Sequence, residues 1–340
     1  MKGIRNLALV ALICVIALSA AYAQVGPASM KSGTYTWVAG GMGGGWYTVA
    51  GGFANLVNEK EPRITIKVIP GGGLTNPIML SQGTADIGWG VAWLDKAAYS
   101  GDAPLFKQKY TGINAIAGAL SADRYHFLAA KDQNVTTFEE FAKKIKNGEK
   151  LKVAGPMTGT SEFVLIGNVL AYYGASFDMI KKNGGSFTQA IYGDMTSLYK
   201  DRHVDYALTC VGLPAAIITE MSLGRPSILM SVSDECVDHF AKTTGLVTRD
   251  SGLAVVPGGT YAGMSGNIQA LAHATEILVS PKMPEDVVYV MTKILNENKA
   301  FLVQMGASYQ VFDPKTTAFA VQVPLHPGAV KYYKEVGVIK

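Results

Sequence analysis

Three glycine-rich segments are the places where this sequence could bind a small molecule. The first, residues 40–45 (GGMGGG), is followed by Trp46, Tyr47 and apolar residues at helical spacing. The second, residues 70–76 (PGGGLTN), and the third, residues 158–161 (TGTS), also precede predicted helices. Backbone N–H groups at a helix start carry partial positive charge and can hold a carboxylate or another anion. The loops therefore predict an anion site built from uncharged donors, with a tight turn as the alternative for the first loop.

The candidate ligand-binding residues of these loops are glycines and uncharged polar residues: Gly44, Gly45, Gly72, Gly73, Asn76, Thr158, Gly159, Thr160 and Ser161. We expect the N–H groups of Gly44, Gly45 and Gly72 and the hydroxyls of the third loop to clamp the anion. Hydroxyl and amide groups orient a carboxylate without adding a full charge, which suits reversible capture. Helix capping by Thr160 or Ser161 is the alternative, and capping does not exclude binding.

Aromatic side chains supply candidate walls for the site. Trp46 and Tyr47 directly follow the first loop, and each combines an apolar ring with a polar group. Trp89 ends the predicted strand 85–89, at the sheet edge where α/β proteins bind ligands. Trp89 and Trp93 could equally fill the core.

Motifs for cofactors, metals and catalysis do not fit the sequence. A G-x-G-x-x-G reading from Gly41 and Gly43 places Trp46 where a small residue is required. The five histidines form no HExxH motif and no i,i+4 pair. The S-x-x-K match at residues 197–200 lacks its companion motifs. We therefore expect a binding protein with no catalytic residue, no metal and no cofactor.

Alternating strand and helix patterns predict an α/β fold with a largely parallel sheet. Strands are predicted at residues 34–39, 64–68, 85–89, 113–120, 125–131, 151–155, 204–209, 227–232 and 268–279. A capping box at Thr137 and Glu140 starts a helix that closes at Gly148, and a short helix after the second glycine loop ends near Gly83. The order of elements is best explained by two lobes, residues 24–126 with 268–340 and residues 127–267. A ligand would lie in the cleft between them.

The N-terminus reads as a secretory signal peptide, residues 1–23. Lys2 and Arg5 precede an apolar stretch that ends in small residues at Ala21 and Ala23. A membrane anchor is the alternative, but the apolar run is shorter than the ~20 residues that span a bilayer. We expect cleavage after Ala23 and a periplasmic location.

Composition points to a globular protein with a small-molecule partner. The 340 residues are 49% hydrophobic and 16% charged, which excludes disorder for most of the chain. The formal charge is only +4 and the basic residues are scattered, so neither nucleic acid nor an anionic membrane surface is an expected partner. We expect a monomer. Cys210 and Cys236 remain after signal cleavage, and two buried free thiols are favoured over a disulfide between them.

Several motifs resemble those of one protein family. Residues 43–47 (GGGWY) stand where that family has Gly-Gly-Thr-Tyr-Tyr, and residues 71–76 (GGGLTN) where it has Gly-Gly-Ser-x-x-Asn. Further matches are residues 83–88 (GTADIG), 158–160 (TGT), 212–214 (GLP) and the tail 324–335 (PLHPGAVKYYKE). Over nearly the whole mature chain, the sequence resembles the TAXI-type solute-binding proteins of TRAP transporters.

The resemblance implies a type II periplasmic-binding-protein fold, in which two α/β lobes close on an organic solute and deliver it to a membrane permease. It implies an organic anion as ligand (a carboxylate, dicarboxylate or amino acid), and it adds Gly212 and Pro214 to the candidate site. The family's serine is replaced by Gly73, and its Gln-Ser-Asp run by Val91, Ala92 and Trp93. We therefore expect a ligand with an apolar or aromatic part.

Two other functions stay open on the sequence alone. A signalling receptor of the same fold would present its closed form to a sensor protein. An exported enzyme is the less favoured alternative, because no nucleophile and base pair is visible. His326, in the matching tail, is assigned to packing.

Overall fold

The computed structural model describes residues 25–340. The predicted signal peptide, residues 1–23, lies outside the described residues. Within the described part of the chain, no helix is both long enough and apolar enough to cross a bilayer.

The chain alternates strands and helices for most of its length. The strands are β1 Gly33–Val38, β2 Ile64–Ile69, β3 Ile87–Val91, β4 Asn114–Ala117, β5 Ala122–Ala130, β6 Lys152–Gly155, β7 Ser186–Gln189, β8 Tyr206–Val211, β9 Ser227–Leu229, β10 Val255–Val256, β11 Ile268–Gln269 and β12 Ala272–Val279. The helices are α1 Gly45–Lys60, α2 Asn76–Gln82, α3 Ala92–Ser100, α4 Phe138–Lys146, α5 Ser161–Tyr172, α6 Phe177–Lys182, α7 Tyr192–Lys200, α8 Ala216–Gly224, α9 Asp234–Thr244, α10 Glu285–Glu297, α11 Lys299–Met305 and α12 Pro327–Glu335. Short 3₁₀ turns include Ala307–Val311, directly after α11.

Local sequence signals explain where several helices begin and end. The capping box predicted at α4 is present: Glu140 N–H donates to the Thr137 hydroxyl at 3.1 Å, and the Glu140 carboxylate accepts from Thr137 N–H. Helix α2 ends at Gly83, whose φ of +73° is the left-handed conformation that glycine adopts most easily. These two boundaries agree with the sequence prediction.

Ten of the strands form one curled sheet in the order β2-β1-β3-β12-β5-β8-β6-β7, with β4 beside β12 and β9 beside β5. Strands β1, β2 and β3 are parallel, as are β6, β7 and β8. Every pair that involves β5 or β12 in this sheet is antiparallel. The sheet is therefore mixed, and the expectation of a largely parallel sheet was wrong because two long strands run against the βα units.

Strands β5 and β12 join the two groups of parallel strands. They pair with each other only at their ends, where His273 lies opposite Asp123. Beyond that point β12 continues beside β3 and β4, and β5 continues beside β8 and β9. All nine residues of β5 are buried. The junction of the two strand groups is thus a rigid, desolvated part of the molecule.

Two large apolar clusters make up much of the core. One contains Phe127, Phe138 and Phe141, and the other contains Trp37 and Phe53. Cys210 and Cys236 are both buried free thiols, as favoured by the sequence. His326 is also buried; its Nδ1 accepts from Gly328 N–H at 3.1 Å and so caps α12.

Candidate functional site

A cavity of about 330 Å³ lies where the three glycine loops meet. The segments that follow the first group of strands contribute residues 40–41, 43–46, 48–49 and 71–73 to its lining. Those of the second group contribute residues 160–162, 210–212 and 214–217. Residues 305–309, around the end of α11, close another side. A volume of this size suits a small organic molecule.

The first loop leaves donors at the start of α1. Gly43 has a φ of +81°, and Gly44, the N-cap residue, supplies no side-chain acceptor to the helix. Gly44 N–H donates to Gly41 O at 3.1 Å and is therefore used inside the loop. Gly45 and Trp46 line the cavity, and their N–H groups have no acceptor among the described residues. The donors available here are thus those of Gly45 and Trp46.

Asn76 holds the second loop in place. Its side chain is fully buried; Nδ2 donates to Ala39 O and Trp89 O, both at 2.8 Å. Its Oδ1 accepts from Gly72 N–H at 2.9 Å, so this amide is also used inside the loop. Asn76 does not line the cavity, and its role is to fix the backbone of Gly72 and Gly73, which do.

The third loop starts α5 and leaves donors of its own. The Thr160 hydroxyl donates to Met157 O at 2.9 Å and accepts from Phe163 N–H at 3.2 Å, which is the capping role considered from the sequence. The N–H groups of Ser161 and Glu162 have no acceptor among the described residues. Both residues line the cavity.

Two acidic side chains, which no sequence motif marks, line the same cavity. Asp123, at the start of β5, accepts from Trp46 Nε1 at 3.0 Å and from the Ser121 hydroxyl at 3.1 Å. Glu162, in the first turn of α5, accepts from the Tyr192 hydroxyl and, at 3.2 Å, from Cys210 N–H. Each carboxyl group is thus held by two uncharged donors.

Burial raises the pKa of both acids. The pKa of Asp123 is raised to about 6, because desolvation outweighs its hydrogen bonds from Ser121 and Trp46. The pKa of Glu162 is raised to about 7 by desolvation and, to a lesser extent, by the charge of Asp123, against its bonds from Tyr192 and Cys210. Both acids can therefore exchange a proton near neutral pH.

His273 is the other titratable side chain of interest in the lining. Its Nδ1 lies 3.0 Å from the Tyr125 hydroxyl, and burial lowers its pKa to about 3. It is therefore a neutral imidazole at physiological pH. No cluster of three metal-ligating side chains occurs among residues 25–340.

Trp46 is the member of an aromatic stack that faces the cavity. Its ring lies 5.8 Å from that of Trp89, which in turn lies 5.5 Å from Trp37. Trp89 Nε1 donates to Trp46 O at 2.9 Å, which fixes the start of α1. Trp89 is 1% exposed and Trp93 6%, so both belong to the core and only Trp46 faces the cavity.

The structure brings most of the predicted site residues together. The lining contains Gly44, Gly45, Trp46, Gly72, Gly73, Thr160, Ser161, Gly212 and Pro214. It does not contain Tyr47, Asn76, Trp89, Thr158 or Gly159. Tyr47 packs against the apolar cluster that contains Trp37 and Phe53. The exposed Thr158 accepts a hydrogen bond from Gln189 at 2.8 Å.

The three residues expected to make the pocket less polar, Val91, Ala92 and Trp93, are buried and lie outside the lining. They therefore do not set its polarity. Apolar side chains in the lining come instead from Val49, Val211, Ile217 and Met305. Gly73 stands where the TAXI-type proteins have serine. A side chain has little space at this position, because a Cβ would lie 3.0 Å from the Ser161 side chain.

The cavity lining also contains Tyr192, Cys210 and residues 305–309, which sequence reasoning missed. These residues carry no motif, and they reach the cavity only through the packing of α7, β8 and α11. Gly212 is the one related signal in the sequence, because a glycine leaves room for a close neighbour. That neighbour is Ser308, whose Oγ would lie 2.7 Å from a Cβ at position 212.

Solved proteins of similar fold include periplasmic solute-binding proteins. MatC from Rhodopseudomonas palustris, solved with bound malate, is 16% identical with a TM-score of 0.54, covering 92% of this chain and all of its own. A substrate-binding protein from Clostridium perfringens, assigned to a phosphate ABC transporter and solved with bound phosphate, is 10% identical with a TM-score of 0.51, covering 81% of this chain and 98% of its own. The periplasmic binding protein BugD is 15% identical with a TM-score of 0.50, covering 90% and 98%.

These likenesses confirm the predicted α/β periplasmic-binding-protein fold. The sequence profile of the NMT1-like family matches residues 38–337. This range contains all of the strands and loops described above except residues 33–37 of β1. The chain therefore belongs to the NMT1-like family.

Proposed function

We propose that this protein is the periplasmic solute receptor of a TAXI-type TRAP transporter, which captures an organic carboxylate and delivers it to a membrane permease. One observation carries the proposal: three glycine loops, each at a helix start and drawn from both strand groups, meet at one cavity. The motif resemblance supplies the transporter type.

The anion would be held by the N–H groups that the loops leave without an acceptor. Those of Gly45 and Ser161 lie at the first positions of α1 and α5, helices of 16 and 12 residues. The two helix starts come from opposite sides of the cavity and both favour negative charge. A carboxylate between them would accept from both.

The ligand would also carry an apolar or aromatic part. Trp46, Val49 and Met305 offer an apolar surface within the cavity. Removing such a surface from water contributes about 25 cal/mol per Å² buried. A ligand with a hydrocarbon or ring portion would therefore gain affinity over a fully polar one.

Ligand binding would hold the two lobes together. We assign residues 24–126 with 268–340 to one lobe and residues 127–267 to the other, with crossings at β5 and β12. A ligand that bridges the lobes stabilises the closed arrangement by its higher affinity for that state. The permease would recognise the closed form.

A thermal-shift screen of a carboxylate library tests this function, because a ligand that binds only the folded state raises Tm. We expect hits among monocarboxylates with an apolar or aromatic part. The variant Thr160→Phe places a ring in the cavity and should abolish the shift. Thr158→Phe, the same change at an exposed position outside the lining, should preserve it.

The melting temperature without ligand shows whether Thr160→Phe remains folded. Two results would contradict the proposal. One is silence of the wild-type protein across the library, and the other is an equal ligand-induced shift in both Phe variants.

A further inference from the structure

The charges around the cavity do not match those of an anion. Among the described lining residues, Asp123 and Glu162 are the acids, and no lysine or arginine lines the cavity. An anion held at Gly45 and Ser161 would thus be a third acidic group in about 330 Å³. Like charges at short range in a desolvated site repel strongly.

Arg124 gives little compensation, because its charge is the smallest of the influences on the pKa of Asp123. Arg124 follows Asp123 on β5 but does not line the cavity, and its Nη1 donates to Ala122 O. The first turn of α5 stabilises the ionised form of Glu162, yet the ligand would compete for the same N–H groups. A proton on one carboxyl group is the simplest way to remove the repulsion.

The groups that face the two acids do not change charge between pH 6 and 9. They come from α7, β8, β5, β12 and the turn after α11: Tyr192, Cys210, Tyr125, His273 and Tyr309. Burial raises the pKa of the tyrosines and the thiol and lowers that of His273. Arg124 stays charged. A proton gained or lost in this range therefore belongs to Glu162 or Asp123.

We propose that the site binds its anion together with one proton, which resides on the Glu162 carboxyl group. This proton also removes the repulsion between the Glu162 and Asp123 carboxylates. Protonated Glu162 would turn a repelling acceptor into an O–H donor toward the ligand. This inference rests on the proposed function, because it takes the ligand to be a carboxylate.

The direction of the pH dependence follows from linkage. The free protein holds the Glu162 proton below about pH 7 and loses it above. The bound anion raises the pKa further, so binding takes up a proton at higher pH. Affinity is then constant below pH 6, where the free protein holds the protons of both acids, and falls at higher pH, approaching about tenfold per pH unit above pH 8.

The experiment uses three pairs of probes that differ by one amino group: acetate and glycine, 4-methylpentanoate and leucine, 3-phenylpropanoate and phenylalanine. Calorimetry at pH 8 in triethanolamine and in Tris, whose ionisation enthalpies differ and whose ionised forms are cations, counts the protons taken up per ligand. The wild-type protein should take up close to one proton with the tightest-binding acid. This count does not depend on any variant folding.

Glu162→Gln removes the titratable group while keeping an N–H donor. Between pH 7 and 9 its affinity for the same acid should depend on pH much less steeply than that of the wild-type protein, and at pH 8.5 it should exceed the wild-type affinity about tenfold or more. Glu139→Gln, at an exposed position in the first turn of α4, is the matched control and should keep the wild-type slope.

Three results are decisive against the proposal. Binding of the acid without proton uptake would overturn it and leave the proposed function intact. So would a preference of tenfold or more for the amino counterparts without proton uptake, because the ligand's ammonium group would then neutralise the carboxylates. If no probe and no member of the carboxylate library binds, the proposed function fails, and the proton-linked step fails with it.

Discussion

Trp46 shows how one residue type can serve several purposes at the site. Its backbone N–H belongs to the helix start, its indole Nε1 donates to Asp123 at 3.0 Å, and its ring covers Trp89. The sequence pointed to this residue because it directly follows a glycine loop. It did not indicate the Asp123 bond, which joins residues 77 positions apart.

Trp46 should report ligand binding by fluorescence. A ligand against its ring changes the indole environment, whereas Trp37, Trp89 and Trp93 are buried away from the cavity. Trp46→Phe should therefore lose most of the ligand-induced change in emission, and Trp93→Phe should retain it. An undiminished signal in Trp46→Phe would place the ligand elsewhere.

Tyr192 should tune the pH range of binding. Its hydroxyl donates to Glu162 and stabilises the ionised carboxylate, so its removal raises the pKa of Glu162. In Tyr192→Phe, affinity should begin to fall at a higher pH than in the wild-type protein. Calorimetric titrations from pH 6 to 9 measure this shift. Tyr172→Phe, on the surface of α5, is the control, and a downward shift in Tyr192→Phe would contradict the assignment.

Single acidic residues were beyond the reach of sequence reasoning. Glu162 in a helix first turn is typical of a favourable helix-dipole contact, and nothing nearby signals burial. Its partners Tyr192 and Cys210 are 30 and 48 positions away, so its environment depends on the assembled fold.

At the scale of elements, the second and third loops touch across the cavity. A Cβ at Gly72 would lie 2.8 Å from Gly159 O and 3.3 Å from Thr160 Cα. At Gly44, in the first loop, it would lie 2.9 Å from the Tyr192 ring. These glycines permit a close approach between segments that follow the two groups of strands, which explains why residues without side chains line this part of the site.

Gly72→Ala should hinder closure. The added methyl group meets backbone atoms, which cannot move aside as a flexible side chain would. We expect ligand affinity to fall about tenfold or more, since closure must then overcome a steric cost of about 1 to 3 kcal/mol. Calorimetry measures the affinity, and X-ray scattering compares the radius of gyration of the liganded proteins.

The control for this substitution is Gly51→Ala, within α1. A Cβ at Gly51 meets no atom within 4 Å, so its affinity should match that of the wild-type protein. Equal affinities for Gly72→Ala and Gly51→Ala would show that the two loops do not approach during binding.

Element prediction succeeded where local signals are strong. The capping box of α4, the alternating residues of β2 and the glycine that ends α2 each determine a boundary from adjacent residues. The direction of strands is a different matter. Local pattern does not reveal that β5 and β12 run against their neighbours, because that depends on where the long connections return.

For the whole molecule, a second acid pair bears on stability. Asp95 and Glu276 are buried outside the cavity lining, and both Asp95 oxygens and one Glu276 oxygen have no hydrogen-bond partner among the described residues. Burial raises the pKa of both carboxyl groups, and the charge of Glu276 raises that of Asp95. The native protein thus holds protons that the unfolded chain releases near pH 4, and stability falls as pH rises above that range.

Glu276→Gln should raise Tm at pH 8 and have a smaller effect at pH 5. The amide can still accept from Gln322 N–H, which donates to Glu276 at 3.0 Å, without the cost of a buried charge. We expect about 1 to 3 kcal/mol, or about 2 to 6 °C, by calorimetry at pH 8. Glu59→Gln, on the exposed face of α1, should change neither value. A larger gain at pH 5 than at pH 8 would contradict the sign.

The most direct test of the whole account is a crystal structure of the protein with the tightest-binding acid of the probe series. We expect the ligand carboxylate to lie within hydrogen-bonding distance of Gly45 N–H and Ser161 N–H, with its hydrocarbon part against Trp46. A ligand bound outside this cavity, or a carboxylate turned away from both helix starts, would contradict it.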